Sequence, residues 1–337
     1  INAFVDLGHK IIIQNTLFKA YDGDLQIVLT AVVNGLILLP FIMLFTPAGF
    51  LADKYPKNRV MKVSAWAAVG VTLLITLSYF QGWFIAAFAL TFILALQSAF
   101  YSPAKYGFIR ELVGEENLTE GNGWVQAVTM VAILTGIAVF SLLFEIRVDG
   151  AFQLSPEQSL EMIAPLGWLL VIGAVVELVL AYRLPKTRET DHQVSYDWQA
   201  YRSGKTLTRN LSMIYHNRTI WLSIVGVALF WSVSQVMLAV FPAVAESHHG
   251  IHNTFIIQGT MALAGVGIMV GSVLAGRWSP HYINIGLIPL GATGVAAGLV
   301  LLPQVSSVLY QALAFFLIGV SGALLNVPLQ ALIQFNA

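Results

Sequence analysis

Apolar runs of about 20 residues recur along the whole chain, and this pattern limits the fold more than any other feature. An α-helix needs a run of about this length to cross the hydrocarbon core of a bilayer. Charged residues make up only 10% of the 337 residues, against about 25% in soluble domains. The sequence therefore predicts an all-α transmembrane protein of about ten spans. They lie near residues 1–20, 25–52, 60–80, 83–112, 124–144, 162–184, 219–245, 254–275, 283–302 and from 306 onwards.

Charge and cysteine content narrow the function classes. The formal net charge is zero and the chain has no cysteine, so nothing indicates nucleic-acid binding, a disulfide framework, a thiol catalyst or a thiolate metal site. No glycine-rich stretch is followed by the Gly-Lys-Ser or Gly-Lys-Thr of a phosphate-binding loop, which disfavours an ATP-driven pump. We predict no cofactor and no metal site.

One long hydrophilic segment divides the spans. It predicts an N-terminal six-helix bundle at residues 1–185, a cytoplasmic linker at 186–218 and a partial C-terminal bundle at 219–337. Basic residues concentrate in the loops after spans 2, 4, 6 and 8, which predicts that these loops are cytoplasmic. The chain starts at Ile1 and stops at Ala337 inside an apolar run. We therefore expect a portion of a longer protein whose second bundle is truncated.

The stretch from Gln97 to Gly107 places a lysine at the end of a long apolar run. A lysine in hydrocarbon costs roughly 2.5 to 3.5 kcal/mol even on lenient scales. Pro103 removes a backbone donor, and Gly107 permits a close backbone approach, so we expect a broken helix that presents Lys105 to an anionic group. The alternative is a helix end with Lys105 extended to the lipid headgroups.

Acidic residues in two spans have two interpretations each. Glu177 in span 6 is either a proton carrier or a structural partner of Arg183 or Lys186. Asp6 in span 1 is four residues before Lys10, so the two share a helix face and can pair. That face is too polar for lipid and should point into the bundle.

Glycine and alanine recur in span 8 and favour close helix packing. The residues are Gly259, Ala262, Gly265, Gly267 and Gly271.

A loop motif between spans 2 and 3 carries a family resemblance. The residues Gly49-x-x-x-Asp53-Lys-x-x-Lys57-x-Arg59 resemble the loop signature of the major facilitator superfamily, and Gly271 to Arg277 repeats it weakly six spans later. The physical interpretation is a close helix approach at Gly49 and an acid, Asp53, that caps a helix or pairs with a base. The resemblance implies a conformational gating role for Gly49, Asp53, Lys57 and Arg59, and a fold of two repeated six-helix halves.

Three stretches resemble the bacterial lysophospholipid transporters within that superfamily. They are Asn2 to Asp6, Tyr101 to Gly107, and Gly121 to Gly123. The chain is similar in particular to the membrane portion of proteins that fuse such a transporter to an acyltransferase and an acyl-carrier-protein synthetase. It departs from the stand-alone members in span 7, where Trp231 to Leu238 is neutral and they carry a basic residue.

This resemblance implies transport of lysophosphatidylethanolamine and lysophosphatidylglycerol. The direction implied is from the outer to the inner leaflet of the bacterial inner membrane, for reacylation. The dehydrated headgroup needs replacement partners: Lys105 for the phosphate, Asp6 for the ammonium, and four polar side chains for glycerol and ester oxygens. These four are Asn34, Gln97, Tyr101 and Gln126. For Asp6, an internal salt bridge to Lys10 or Lys105 remains the alternative.

Two other functions stay open. One is a proton-coupled transporter of small solutes or drugs on the same fold, which paired titratable groups in the membrane would favour. The other is a non-transporting membrane domain that anchors a fused acyltransferase. We expect no enzyme within these residues and place any acyltransferase beyond Ala337.

Overall fold

The computed structural model describes residues 1–21, 23–148, 155–186, 198–249, 254–305 and 307–336, and all regular elements in these ranges are helical. Of the predicted linker, residues 187–197 lie outside them, as does Ala337. The α-helices are α1 (Asn2–Ala20), α2 (Gly23–Met43), α3 (Phe45–Lys54), α4 (Lys57–Phe80), α5 (Phe84–Val113), α6 (Leu118–Val148), α7 (Pro156–Ile163), α8 (Gly167–Arg183), α9 (Trp198–Arg202), α10 (Lys205–His216), α11 (Arg218–His249), α12 (Thr254–Arg277), α13 (Leu287–Leu301) and α14 (Val308–Asn336). Short 3-10 turns follow α7 at Ala164–Leu166 and α13 at Leu302–Gln304.

The described helices include eight that are long and apolar enough to cross a membrane, or nine when the bent pair α2 and α3 is counted as one span. The sequence predicts about ten. The difference is α1, which occupies the position of predicted span 1 but carries Asp6, Lys10 and Lys19. Three charged residues in 19 make this helix too polar to qualify by composition.

The bent pair has a local cause in the sequence. Helices α2 and α3 meet at a break around Leu44 and are bent by 53°. Pro40 lies inside α2, and Pro47 lies in the first turn of α3. Proline inside a helix removes a backbone hydrogen bond and clashes with the preceding turn, which explains the break within the predicted second span.

Tertiary contacts divide the chain into two compact units. Unit 1 comprises residues 1–108 and 135–204, and unit 2 comprises residues 109–134 and 205–337. The boundary therefore runs through α5 and through α6.

Unit 1 is organised around α1, which packs closely on α6 and α8. A Cβ added at Gly8 would collide with the Phe140 ring, and one added at Gly173 would lie 2.8 Å from the Val5 side chain. Residues of α1 and of the helices around it form the main apolar core of the unit and are almost wholly buried. This core includes Ile12, Ile13, Leu17, Tyr79, Phe140, Phe144 and Leu170. Glycine at the two contacts lets a helix with polar residues sit inside the unit.

In unit 2, small residues bring α12 and α14 together. A Cβ at Gly267 or Gly271 would collide with backbone atoms of α14, and one at Gly319 would collide with the backbone of α12. The packing role predicted for the span 8 series is thus confirmed for Gly267 and Gly271. It is wrong for Gly259, where a Cβ would meet no atom within 4 Å.

Helix α5 corrects one prediction. It runs unbroken from Phe84 to Val113 with Pro103 inside it, so the expected break is absent. The close approach expected at Gly107 is present, but the contacting group is the Lys57 side chain and not a backbone. The glycine provides room for the aliphatic stem of that lysine.

Candidate functional site

Polar residues form a stripe along α1 that faces the interior of unit 1. Asn2, Asp6 and His9 are spaced by four and three residues, which places them on one face of a helix. Asp6 is half-buried, and His9 is completely buried. The stripe contacts α4 and α5, because His9 lies against Tyr79 of α4 and Thr91 of α5.

The middle of the stripe contacts two adjacent polar residues of α5. The Ser98 hydroxyl donates to Asp6 Oδ2 at 2.6 Å and lies 3.0 Å from Gln97 Oε1. The Asn2 amide donates to Ser98 Oγ at 3.2 Å and to Gln97 Oε1 at 3.4 Å. We define the polar cluster as Asn2, Asp6, Gln97, Ser98 and Glu177, the last contributed by α8.

Glu177 joins this cluster from α8. Its side chain is 4% exposed, and Asp6, Lys105 and Asn2 all lie close enough to interact with it electrostatically. The structure does not support its predicted pairing with Arg183 or Lys186. Both of those residues are exposed, and Glu177 forms no ion pair with a described residue.

Several atoms of the polar cluster are buried without a hydrogen-bond partner among the described residues. They are Asp6 Oδ1, Gln97 Nε2 and both carboxylate oxygens of Glu177. A buried polar group left unpaired costs about 1 to 3 kcal/mol. The cluster thus offers three acceptor atoms and one donor atom to a further polar group.

Tyr101 and Lys105 lie about one and two turns along α5 from Gln97. The Lys105 ammonium is 4.7 Å from the centre of the Tyr106 ring and makes no ion pair with a described carboxylate. The salt bridge from Asp6 to Lys10 or Lys105, considered from the sequence, is therefore absent, because Asp6 accepts from Ser98 instead. Tyr101 is half-buried and within electrostatic range of Asp6 and Glu177.

His9, on the same stripe, belongs to a closed network. Its Nδ1 lies 2.6 Å from the Tyr79 hydroxyl, and its Nε2 lies 3.0 Å from Thr91 Oγ1. Both ring nitrogens are therefore paired, and the ring stacks on Tyr79 with centres 6.0 Å apart. This arrangement leaves His9 no capacity for a ligand and gives it a structural role.

A cavity of about 400 Å³ adjoins the polar cluster. Gln97 belongs to both, because it also lines the cavity. The other lining residues come from α3, α4, α5 and the α3–α4 connection and are mostly apolar: Leu51, Tyr55, Arg59, Val60, Val63, Ser64, Ala67 and Phe100.

The predicted gating residues lie around the junction of α3 and α4. A Cβ at Gly49 would meet no atom within 4 Å, so the close approach expected there is absent. Asp53 stands in the last turn of α3, within electrostatic range of Lys57, and so does not cap the start of a helix. Arg59 lies 6.0 Å from the Tyr55 ring and lines the cavity. The gating role of these residues stays a prediction.

Two predicted substrate residues stand apart from the cluster. Asn34 in α2 donates to the carbonyl oxygen of Thr30 at 3.1 Å and shares no hydrogen bond with the cluster among the described residues. Gln126 is 5% exposed and belongs to unit 2. Within the described ranges, no three His, Cys, Asp or Glu side chains are grouped to hold a metal ion.

Sequence reasoning missed Asn2, Ser98 and Glu177 as members of the cluster. Asn2 was detectable, because it precedes Asp6 by four residues and so shares its helix face. Glu177 was visible as an acid inside an apolar span, but its partners come from α1 and α5. Spacing within one helix cannot identify partners on another.

Comparison with known proteins identifies the family of this chain. Residues 11–337 match the Major Facilitator Superfamily. The chain is 26% identical over 300 residues to "Lysophospholipid transporter LplT" of Photorhabdus laumondii subsp. laumondii, covering 88% of this chain and 69% of that protein. It is 27% identical over 297 residues to the protein of the same name from Escherichia coli (strain K12 / DH10B), covering 87% of this chain and 68% of that protein.

Solved structures agree on the fold. The human organic anion transporter MFSD10 aligns with a TM-score of 0.68 at 13% identity, over 99% of this chain and 84% of that one. FucP in the outward conformation aligns with a TM-score of 0.63 at 14% identity, over 99% of this chain and 87% of that one. At such identities these likenesses show the fold alone. Taken with the family match over residues 11–337, they establish that this multi-pass membrane protein is a transporter of the Major Facilitator Superfamily.

Proposed function

We propose that this protein is a secondary transporter of lysophospholipids. The observation that carries the proposal is the polar cluster, whose unpaired acceptors and donor adjoin a largely apolar cavity through Gln97. A lysophospholipid has the matching form, with a compact polar headgroup and one acyl chain. The similarity to proteins named lysophospholipid transporter, over 87 to 88% of the chain, supports the same substrate class.

The headgroup would exchange its water for protein partners in the cluster. Lys105 is available to the phosphate as a charge-assisted donor. The unpaired Asp6 Oδ1 is an acceptor for the ethanolamine ammonium, and Gln97 Nε2 is a donor for phosphate or glycerol oxygens. Tyr101, Asn34 and Gln126 remain proposed contacts to the glycerol and ester oxygens.

The acyl chain would occupy the cavity lined by α3, α4 and α5. A volume of about 400 Å³ falls within the usual range of ligand pockets. Val60, Val63 and Phe100 give it an apolar wall. Gln97 belongs to both regions. A lysophospholipid with its headgroup in the cluster and its acyl chain in the cavity would therefore contact one continuous surface.

Direction, location and partners complete the proposal. We place the protein in the bacterial inner membrane, where it moves lysophosphatidylethanolamine and lysophosphatidylglycerol from the outer to the inner leaflet for reacylation. The implied partner is an acyltransferase and acyl-carrier-protein synthetase, fused or associated. Alternating access would use halves at 1–185 and 219–337 joined by the linker at 186–218, with Gly49, Asp53, Lys57 and Arg59 in gating.

The test is uptake of labelled lysophosphatidylethanolamine by spheroplasts that express the full-length protein, wild type against Lys105→Ala. We expect a loss of at least about tenfold at equal membrane abundance, since hydrogen bonds to charged groups contribute roughly 1.5 to 3 kcal/mol. Lys19→Ala, an exposed lysine of α1, is the matched control and should transport normally. Wild-type uptake equal to that of empty-vector spheroplasts would refute the proposal.

A second candidate is a proton-coupled transporter of small solutes. The observation that favours it is the proximity of Asp6 and Glu177, two acids held in one buried cluster. Such a protein would accumulate its solute against a gradient when a pH gradient is imposed on proteoliposomes. Lysolipid uptake that continues after the pH gradient is collapsed would favour the first candidate instead.

A further inference from the structure

Glu177 is the member of the polar cluster whose two carboxylate oxygens both lack a partner at hydrogen-bond distance among the described residues. Its side chain is nevertheless only 4% exposed. The neighbouring Asn2 amide donates to Gln97 and Ser98 and lies close enough to Glu177 to interact with it electrostatically. Protonation does not remove the deficit, because a carboxylic acid adds a donor that also needs a partner.

The cluster also carries more negative than positive side chains. Asp6 and Glu177 are two carboxylates, and Lys105 is the basic side chain within electrostatic range of Glu177. Buried carboxylates require a cation or several donors, and both acids have free acceptor atoms.

A primary ammonium matches these free atoms in number and in charge. It supplies three N–H donors and one positive charge, which matches one Asp6 oxygen and two Glu177 oxygens. The phosphate of the same headgroup would then lie toward the Lys105 ammonium and Gln97 Nε2. A headgroup that ends in a neutral glycerol offers hydroxyl donors without the charge and would bind the acids less strongly.

We propose that Glu177 is a specificity-determining residue, which together with Asp6 binds the ammonium of the headgroup and gives preference to amine-bearing lysophospholipids. The inference rests on the proposed function, since it concerns the same substrate and the same site. It adds a second acid, contributed by α8, to the substrate contacts expected from the sequence. Glu177 acts here by direct contact, not through another residue.

The experiment compares two lipids that differ at the amine. Full-length protein in spheroplasts is given lysophosphatidylethanolamine or its N-acetylated form, which lacks the positive charge, and the ratio of initial uptake rates is measured. In the wild type we expect a ratio well above one. In Glu177→Gln we expect that ratio to fall about tenfold, mainly through slower uptake of the amine-bearing lipid. Glu177→Asp, which keeps the charge, should restore part of it.

The matched control is Glu145→Gln, the same exchange at an exposed acid of α6 in the same unit, and it should leave the ratio unchanged. A ratio that does not change in Glu177→Gln overturns the inference, as does an equal loss for both lipids. If Glu177→Gln fails to reach the membrane, the wild-type ratio decides, and a value near one overturns the inference. Wild-type uptake of neither lipid would instead refute the proposed function, so the two failures are distinguishable.

Discussion

The polar cluster in unit 1 and an amide pair in unit 2 are both built from buried and half-buried polar side chains, but they differ in how their hydrogen bonds are satisfied. In the amide pair, Asn122 Nδ2 donates to Gln334 Oε1 at 3.0 Å and Gln334 Nε2 donates to Asn122 Oδ1 at 2.8 Å. Asn122 donates in addition to the carbonyl oxygen of Leu118 at 2.8 Å. The two amides thus satisfy each other.

The polar cluster lacks this closure. Asp6, Gln97 and Glu177 keep buried atoms with no hydrogen-bond partner among the described residues. A pair whose hydrogen bonds are all made contributes to packing specificity. A cluster with unpaired buried atoms lowers the stability of the free protein, and a ligand that pairs with those atoms offsets this loss. The difference separates a structural contact from a binding site: substitutions in the cluster should change uptake more than stability, and those in the pair should do the reverse.

The largest effect is expected from Asp6→Asn. The exchange keeps the size of the side chain and its capacity to accept from Ser98 but removes the charge. We expect uptake of lysophosphatidylethanolamine to fall by about 10- to 100-fold, because hydrogen bonds to charged groups contribute roughly 1.5 to 3 kcal/mol. Initial rates in spheroplasts, corrected for membrane abundance, provide the measurement.

The same variant should not lose stability. Burying a carboxylate without a full set of partners is costly, so the melting temperature of the purified Asp6→Asn protein should be unchanged or raised. A lower melting temperature together with normal uptake would make Asp6 a structural residue and remove the contrast with the amide pair.

The second effect concerns the stability of unit 2. Asn122→Leu removes both hydrogen bonds to the half-buried Gln334 amide. At about 0.5 to 1.5 kcal/mol for each hydrogen bond, the change should destabilise the protein by about 1 to 3 kcal/mol. Because both partners are replaced, Asn122→Leu/Gln334→Leu should cost less than the sum of the single changes. The measurement is a double-mutant cycle on thermal unfolding in detergent. Strictly additive losses would show that the two amides do not interact in solution.

Much of the fold could be predicted from the sequence, because the information is local to each helix. Apolar length and composition predict most spans, as α4, α5 and α6 illustrate. Helix α1 was also predicted as a span, although Asp6, Lys10 and Lys19 make it more polar than the other spans. The close packing of Gly267 and Gly271 followed from small residues in an apolar helix.

The site could be predicted only in part, because its contacts join different helices. Asp6 and Gln97 were identified as polar residues in apolar spans, but their link through Ser98 depends on how α1 sits against α5. At Gly49 and Gly259 a close helix approach was predicted that the structure does not have, since a small residue permits such an approach without requiring one. Pro103 likewise lies within a continuous helix.

The third effect is a smaller change in the free energy of unfolding, caused by replacing either of two glycines with alanine. The sign of the change should differ between the two positions. In unit 2, a Cβ at Gly123 would collide with the Ser272 carbonyl oxygen, next to the amide pair. Overpacking costs about 1 to 3 kcal/mol, against about 1 kcal/mol gained by alanine in a helix. Gly123→Ala should therefore lower the free energy of unfolding by about 1 kcal/mol. Gly70→Ala, where a Cβ meets no atom within 4 Å, should leave it unchanged or raise it. Equal shifts at both positions would contradict the tight contact.

The smallest effect is expected where two opposite charges meet in an exposed position. Lys19 Nζ lies 3.0 Å from Glu145 Oε2, with 38% and 58% of the side chains exposed. Such pairs contribute about 0 to 1 kcal/mol, because solvent screens the charges and both side chains lose freedom. Lys19→Ala should change the melting temperature by no more than about 2 °C and leave uptake unaffected. Lys19→Ala should matter for uptake only if any charge on α1 supported transport. A loss of uptake as large as that of Asp6→Asn would therefore show that unpaired buried atoms do not mark the binding region.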